Sequence, residues 1–268
     1  MTDAHAVLLQ ETKLLADDIE EASDWSTKNG WHPTFGPAVK TDRSVSSGTA
    51  ILTRDSIGTY WPGTDGEPCG TATASARFTA VVIQPPGICP IILVSVYLQV
   101  GAGLNPANMQ VLADIGNLVT GLQLPYIIGG DFNLVPAALT ASGLLARIRA
   151  TLVKTPKATC VTSRPRSVID FFLVADDLSQ AIAAIDIEDR VIVSPHRAIL
   201  LTFAVDMDKA LKTVLKVQPR IPHQDLGPYC PGTRMSPPWR PPLARPMASP
   251  AARSWAPPQH RQPLTPPM

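Results

Sequence analysis

An aspartate stands inside an otherwise apolar run, Val168-Ile169-Asp170-Phe171-Phe172-Leu173-Val174. A run of this length and composition reads as a strand buried on both faces. A carboxylate there is expensive unless it is paired or hydrogen-bonded. The chain must therefore fold so that partners reach Asp170 from elsewhere in the sequence.

Other apolar runs have the same form, each delivering a polar group at its end. Val7-Leu8-Leu9-Gln10 leads into Glu11, Tyr126-Ile127-Ile128-Gly129-Gly130 into Asp131-Phe132-Asn133, and Val191-Ile192-Val193-Ser194-Pro195 into His196. Strands packed side by side would bring these groups to one rim, where loops on a rigid scaffold carry chemistry. Singly, each has a plainer reading. Asp131 after two glycines could form an Asx-turn, Glu11 could favour the start of a following helix, and His196 could be a hydrogen-bonded histidine at a strand start. Together they supply carboxylates, an amide and an imidazole, the groups that a hard divalent cation and a phosphoryl transition state require.

The hydrophobic pattern predicts nine strands: 6–10, 49–53, 77–84, 91–98, 126–129, 158–162, 168–174, 184–187 and 198–205. The clearest helix is 106–122, with Asn105 as its N-cap, Pro106 in its first turn and an apolar stripe through Val111, Leu112, Ile115, Leu118, Val119 and Leu122. Weaker helical patterns cover 14–26, 139–150 and 177–183. The Pro-Pro-Gly turn between 77–84 and 91–98 makes that pair antiparallel, which excludes a purely repeated βαβ array. The fold class expected is α/β (α+β): two mixed β-sheets face to face, flanked by helices.

From Gln218 the composition changes, with 15 of the 28 prolines in the last 51 residues. Such a segment buries too little apolar surface to offset its ordering entropy. The expected organisation is one domain over 1–206, then 207–268 as a linker and disordered Pro/Arg-rich tail, a candidate ligand for a polyproline-binding partner. The body before Gln218 carries 17 Lys and Arg against 21 Asp and Glu, so it lacks the broad positive field of a nonspecific nucleic-acid binder. The four cysteines have neither zinc-finger spacing nor a disulfide framework, and no apolar stretch has the length of a membrane span. A soluble intracellular protein of the nucleus or cytoplasm, neither secreted nor membrane-bound, is expected.

Leu8-Leu9-Gln10-Glu11-Thr12-Lys13-Leu14, Gly129-Gly130-Asp131-Phe132-Asn133, Val168 to Val174 and Ser194-Pro195-His196-Arg197 resemble, in order, the motifs of the endonuclease/exonuclease/phosphatase superfamily. Ser47-Gly48-Thr49-Ala50-Ile51-Leu52 and Val94-Ser95-Val96-Tyr97-Leu98 resemble two of its intermediate strands. The resemblance implies a four-layered α/β sandwich and Mg²⁺- or Mn²⁺-dependent phosphoester hydrolysis. Among subfamilies it is most similar to the abasic-site and non-LTR retrotransposon endonucleases, so the implied substrate is nucleic acid, DNA in preference to RNA. By motif, Glu11 would bind the metal, Asp131 would orient or deprotonate water and Asn133 would help to hold phosphate. His196 would stabilise the transition state, Tyr97 would contact phosphate, and Asp170 would belong to a supporting acidic cluster.

Two departures from that pattern stand out. The strand ending in Asn and the helix that normally precede the Glu-bearing strand have no counterpart before Glu11, so a first strand and its amide are expected to be missing. Pro195 occupies the place of an Asp before the terminal His. That substitution is expected to deprive His196 of the carboxylate that fixes its tautomer, with Asp189 or Asp186 as substitutes. These departures set an active phosphodiesterase against a silent remnant of a mobile-element endonuclease.

Overall fold

The strand Ile91–Tyr97 is buried at every residue, which requires neighbours on both edges and both faces. Its edges are taken by Phe78–Gln84, antiparallel, and Tyr126–Asp131, parallel. In the computed structural model, which describes residues 4–42, 44–62, 76–161 and 167–204, these are the middle of a six-stranded sheet.

In chain order the strands are β1 (Ala6–Gln10), β2 (Trp31–Gly36), β3 (Val39–Lys40), β4 (Val45–Ser46), β5 (Thr49–Arg54), β6 (Gly58–Tyr60), β7 (Phe78–Gln84), β8 (Ile91–Tyr97), β9 (Tyr126–Asp131), β10 (Ala150–Val153), β11 (Asp170–Ala175), β12 (Ile182–Ile192) and β13 (Arg197–Phe203). The helices are α1 (Ile19–Lys28), α2 (Pro106–Leu122), α3 (Pro136–Ala141), α4 (Leu144–Ile148) and α5 (Asp176–Ser179). The large sheet has the order β10-β11-β9-β8-β7-β6; β1-β5-β2, β12-β13 and β3-β4 form smaller sheets.

Strand alternation sorts the core into two layers. Ala80, Val82, Ile92, Val94, Ile128, Phe171 and Leu173 point to one face and pack with Leu112, Ile115 and Val119 of α2 and with Leu139 and Ile148 of the shorter helices. Val81, Ile83, Ile91, Leu93, Ile127, Phe172 and Val174 point to the other, against Leu8 and Ile51 and against Ile182, Ile185, Ile199, Leu201 and Phe203 of β12 and β13. This is the mixed α/β architecture expected, and α1 lies against β2 on the outside. The second layer is divided: β1 and the β12–β13 pair both cover the large sheet but are not hydrogen-bonded to each other.

The helix over 106–122 has the expected bounds, and the Asn105 side chain accepts the Asn108 N–H at 2.8 Å. It is the crossover that makes β8 and β9 parallel, the connection such a pair needs. Other elements differ from expectation. Residues 139–150 divide into α3 and α4 around Ser142 and Gly143, whose φ of +76° ends a helix. Among the described residues of the expected strand 158–162, Cys160 forms isolated bridges, to Ser167 and to His196. The stretch 14–26 becomes helical only from Ala16. The segment from 205 onward, including the expected tail, lies outside the described residues.

Candidate functional site

Register places the first three groups. In the parallel pair β8–β9, Tyr97 stands opposite Asp131, and in the antiparallel pair β9–β11, Asp131 stands opposite Asp170. Adjacent strands are about 4.8 Å apart, so the three form a row along the sheet's rim. Beneath it, Phe132 and Phe171 stack with centroids 4.2 Å apart and planes inclined by 5°, which locks the row's register.

Gly129 and Gly130 allow the row to form. A Cβ on Gly130, at φ +155°, would meet the Val96 carbonyl oxygen at 2.0 Å, and one on Gly129 would meet the Phe172 ring at 2.5 Å. The double glycine before Asp131 is thus a close-approach requirement of two strands and a ring.

Glu11 arrives from the other layer. Ser95 of β8 donates its hydroxyl to the Leu9 carbonyl at 2.8 Å and accepts from Gln10 Nε2 at 2.9 Å, tying the end of β1 across the sheet interface. The chain then turns at Glu11, φ +53°, and is held by Thr12 and Lys13 N–H groups donating to Gly48 and Ser47 carbonyls at 3.1 Å. The Tyr97 hydroxyl donates to Glu11 Oε1, while Glu11 Oε2 lies 3.9 Å from Lys13 Nζ. Burial and the Glu11 carboxylate push the Tyr97 phenol up, keeping it the donor. The Glu11 carboxylate remains 49% exposed, open to a ligand from solvent.

His196 arrives through the Cys160 segment. Val161 N donates to Pro195 O at 2.9 Å and Arg197 N to Thr159 O at 2.7 Å, stitching the start of β13 to residues 159–161. The Thr159 hydroxyl accepts the Ile169 and Asp170 N–H groups, each at 3.1 Å. One fully buried threonine therefore aligns both partners. Sequence reasoning missed it, since a threonine before a cysteine carries no signal of that role.

The imidazole lands on Asp170, the carboxylate at the start of the apolar strand β11. His196 Nδ1 lies 3.0 Å from both Asp170 oxygens, and Nε2 lies 3.8 Å from Asp131 Oδ2. The hydrogen bond to Asp170 raises the His196 pKa against the opposing effect of burial. This corrects the expectation drawn from Pro195: His196 does have a carboxylate to set its tautomer, supplied by Asp170. Asp189 instead pairs with Arg197 at 2.5 Å, and Asp186 lies within β12 opposite Leu200. Changing Asp170 to Asn is expected to return the His196 pKa toward or below its ordinary value. An NMR titration of the ring protons would show this, and an unchanged midpoint would contradict the pairing.

Asp131 is held by Asn133, which sits at φ +48° and donates its backbone N–H to Oδ1 at 2.9 Å and its Nδ2 to Oδ2 at 3.0 Å. The other Nδ2 hydrogen goes to the Leu98 carbonyl at 2.9 Å. Both amide hydrogens are engaged, so in this structure Asn133 orients Asp131 and offers no N–H to phosphate. Burial, and then the Asp170 charge, push the Asp131 carboxyl up to about 6, despite the Asn133 bonds and His196.

Ligand atoms of Asp131, Asp170 and His196 lie within 4.8 Å of one another. A cation in their midst would compete with the histidine for Asp170. Glu11, half exposed, is the freest donor, with the Asp131 carboxylate deeper on the same rim: hard oxygens of the kind that Mg²⁺ or Mn²⁺ takes. The residues present fit such an ion.

A layered α/β fold thus brings two carboxylates, an Asp–His pair and a half-exposed Glu to one rim. Residues 2–196 match the model of the endonuclease/exonuclease/phosphatase family, and the chain belongs to that family. No curated protein matches it in sequence. Among solved structures it is similar to the endonuclease domain of TRAS1, a telomere-specific non-LTR retrotransposon, at 16% identity and TM-score 0.56, covering 75% of this chain and 86% of that one. It is also similar to the AP endonuclease LMAP from Leishmania major, at 15% identity and TM-score 0.58 with 75% and 78% covered. The 3'-5' exonuclease NExo from Neisseria meningitidis matches at 18% identity and TM-score 0.52 with 75% and 90% covered. At these identities the likeness is one of fold. Among the described residues no helix is long and apolar enough to cross a membrane.

Proposed function

We propose that residues 1–206 form a divalent-metal-dependent phosphodiesterase, an endonuclease acting on DNA. The observation that carries this reading is the Asp170–His196 pair, with Nδ1 3.0 Å from the carboxylate and Nε2 turned toward Asp131. Two buried carboxylates around one imidazole are costly as a structural device and useful as a catalytic one.

The roles follow from the geometry. Asp131, its orientation set by Asn133, holds or deprotonates the attacking water. His196, whose charged form the Asp170 carboxylate favours, is the group to place positive charge where negative charge builds on the phosphoryl oxygens. Glu11, half exposed and steadied by Tyr97, would hold Mg²⁺ or Mn²⁺, and the ion would supply polarisation of the phosphoryl group and neutralisation of its charge. Lys13 adds positive charge beside Glu11. DNA as the substrate is favoured by the similarity of fold to two endonucleases and to the Neisseria 3' phosphatase NExo, whose structure holds a product DNA hairpin.

The test is cleavage of end-labelled duplexes, plain and with one abasic site, by the full chain with Mg²⁺. Nicking that disappears in EDTA and returns with Mg²⁺ or Mn²⁺ is expected. A folded protein that cleaves neither duplex with any divalent ion would overturn the reading.

A further inference from the structure

The divided second layer leaves a slot between β1 and β13. At the rim β1 ends over β8, where Ser95 bonds the Leu9 carbonyl and the Gln10 amide and Tyr97 bonds Glu11. β13 starts over β11, where His196 meets Asp170, and the Glu11 charge at the end of β1 acts on that histidine. β12 follows α5, which lies against β10 and β11, so it is the outer member of its pair. In the large sheet one strand, β9, separates β8 from β11. At about 4.8 Å per strand, β1 and β13 stand about two spacings apart, which admits one strand and excludes a helix about 10 Å wide.

The core is wettest along this slot. Ile127 and Phe172, each 9% exposed, are the most exposed of the buried residues in that layer's core, and Leu8, Ile199, Leu201 and Phe203 beside them are only partly buried. The backbone edge of β13 is open there as well. Ala204 N donates to Ala181 O on the β12 side, whereas Arg197 N donates to Thr159 O on the other. Backbone groups alternate along a strand, so Ile199, Leu201 and Phe203 point theirs away from β12, and among the described residues no strand receives them.

We infer that the chain's own segment beginning at Leu211 docks in this slot as a strand antiparallel to β13. The stretch 204–218 contains no proline, whereas the prolines from Pro219 onward cannot serve in a ladder bonded on both edges. From Leu211 the sequence alternates, with Leu211, Thr213, Leu215 and Val217 on one side and Lys212, Val214 and Lys216 on the other. With 204–210 as the connection, Leu211 comes opposite Phe203 and Thr213 opposite Leu201, on the face that covers the wet core. Val214, the apolar residue between the two lysines, then comes opposite Leu200, which is 36% exposed on the outer face. One register thus covers both the half-wet core and an exposed leucine.

The experiment is disulfide trapping in the full chain, with the linked peptides mapped by mass spectrometry. Leu200 and Val214 would form a non-hydrogen-bonded antiparallel pair with Cα atoms about 4.5 Å apart, inside the range of about 4.4 to 6.8 Å that a disulfide spans. Under mild oxidation, Leu200→Cys with Val214→Cys is expected to close at least about tenfold faster than Leu200→Cys with Thr213→Cys, whose side chains point to opposite faces. Equal rates, or no link between positions 200 and 214, would overturn the assignment. A link found only between two chains would overturn it in favour of a second copy. Amide exchange gives an independent reading. Thr213→Pro removes a ladder N–H and is expected to speed exchange at Ile199, Leu201 and Phe203 by about tenfold. Unchanged exchange at those three amides would show that nothing from this segment pairs with β13.

Discussion

Asp131→Asn is expected to lower DNA cleavage by about a thousandfold and, in EDTA at pH 8, to raise the melting temperature. The two effects share a cause. Burial and Asp170 hold the Asp131 carboxyl at about 6, above its ordinary 3.8, so the folded protein disfavours the ionised form. A folded pKa above the unfolded one means that this group's stabilising contribution is complete below about 3.8 and is lost as pH rises through about 6. Near pH 8 the ionised Asp131 opposes folding by up to about 3 kcal/mol, an order-of-magnitude figure from the size of the shift. An asparagine removes that charge but can accept only one of the two Asn133 hydrogen bonds, so the net gain is smaller than this figure. It cannot accept a proton from water, which removes a contribution of about 10² to 10⁴ in rate, with loss of a metal-facing charge besides. Melting curves from pH 4 to pH 8 should therefore converge at the acid end and separate at the alkaline end. Retention of activity within tenfold, or a variant less stable than wild type at pH 8, would contradict the assignment.

Gly130→Ala is expected to destabilise the fold by at least about 3 kcal/mol in urea denaturation, the range of overpacking and backbone-strain mechanisms. Its Cβ would sit 2.0 Å from the Val96 carbonyl oxygen, a backbone atom of the central strand that cannot give way without moving Tyr97 from Asp131. Gly121→Ala is the matched control. It lies in α2 with nothing within 4 Å of the added atom, so the same methyl should stabilise by up to about 1 kcal/mol through helix propensity. Equal effects from the two substitutions would show that backbone entropy, not close approach, dominates at Gly130.

The elements that the sequence announces are those whose periodicity is enforced by the core. β7, β8 and β9 are apolar on both faces and bounded by turn residues, and α2 carries an N-cap, an early proline and a stripe of one face. β2 escapes notice because His32 and Pro33 break any strand pattern. It is an edge strand of β1-β5-β2, where a missing N–H is tolerated. β12 runs from Ile182 to Ile192, far beyond the expected 184–187, because among the described residues it pairs with β13 alone and carries Asp186, Glu188, Asp189 and Arg190 along a half-solvated ribbon with register shifts. Its apolar signal is diluted accordingly.

The residues of the site were legible, but their partnerships were not. An aspartate in a buried strand, an aspartate after two glycines, a glutamate after Val-Leu-Leu-Gln and a histidine before a strand are each visible because burying or terminating them has a local energetic cost. Local cost says only that a partner must exist. That Asp170 meets His196, that Asn133 turns both amide hydrogens inward, and that Thr159 aligns Asp170 with the start of β13 are decided by register between β9 and β11 and by the stitching of 159–161 to 195–197. Pro195 misled for the same reason, since its neighbour in sequence is not its histidine's neighbour in space. The chemistry available was set by composition along the chain, because desolvation acts on each residue where it stands; the pairing that makes it a site was set only by the tertiary fold, because a hydrogen bond of 3.0 Å depends on where two strands come to rest.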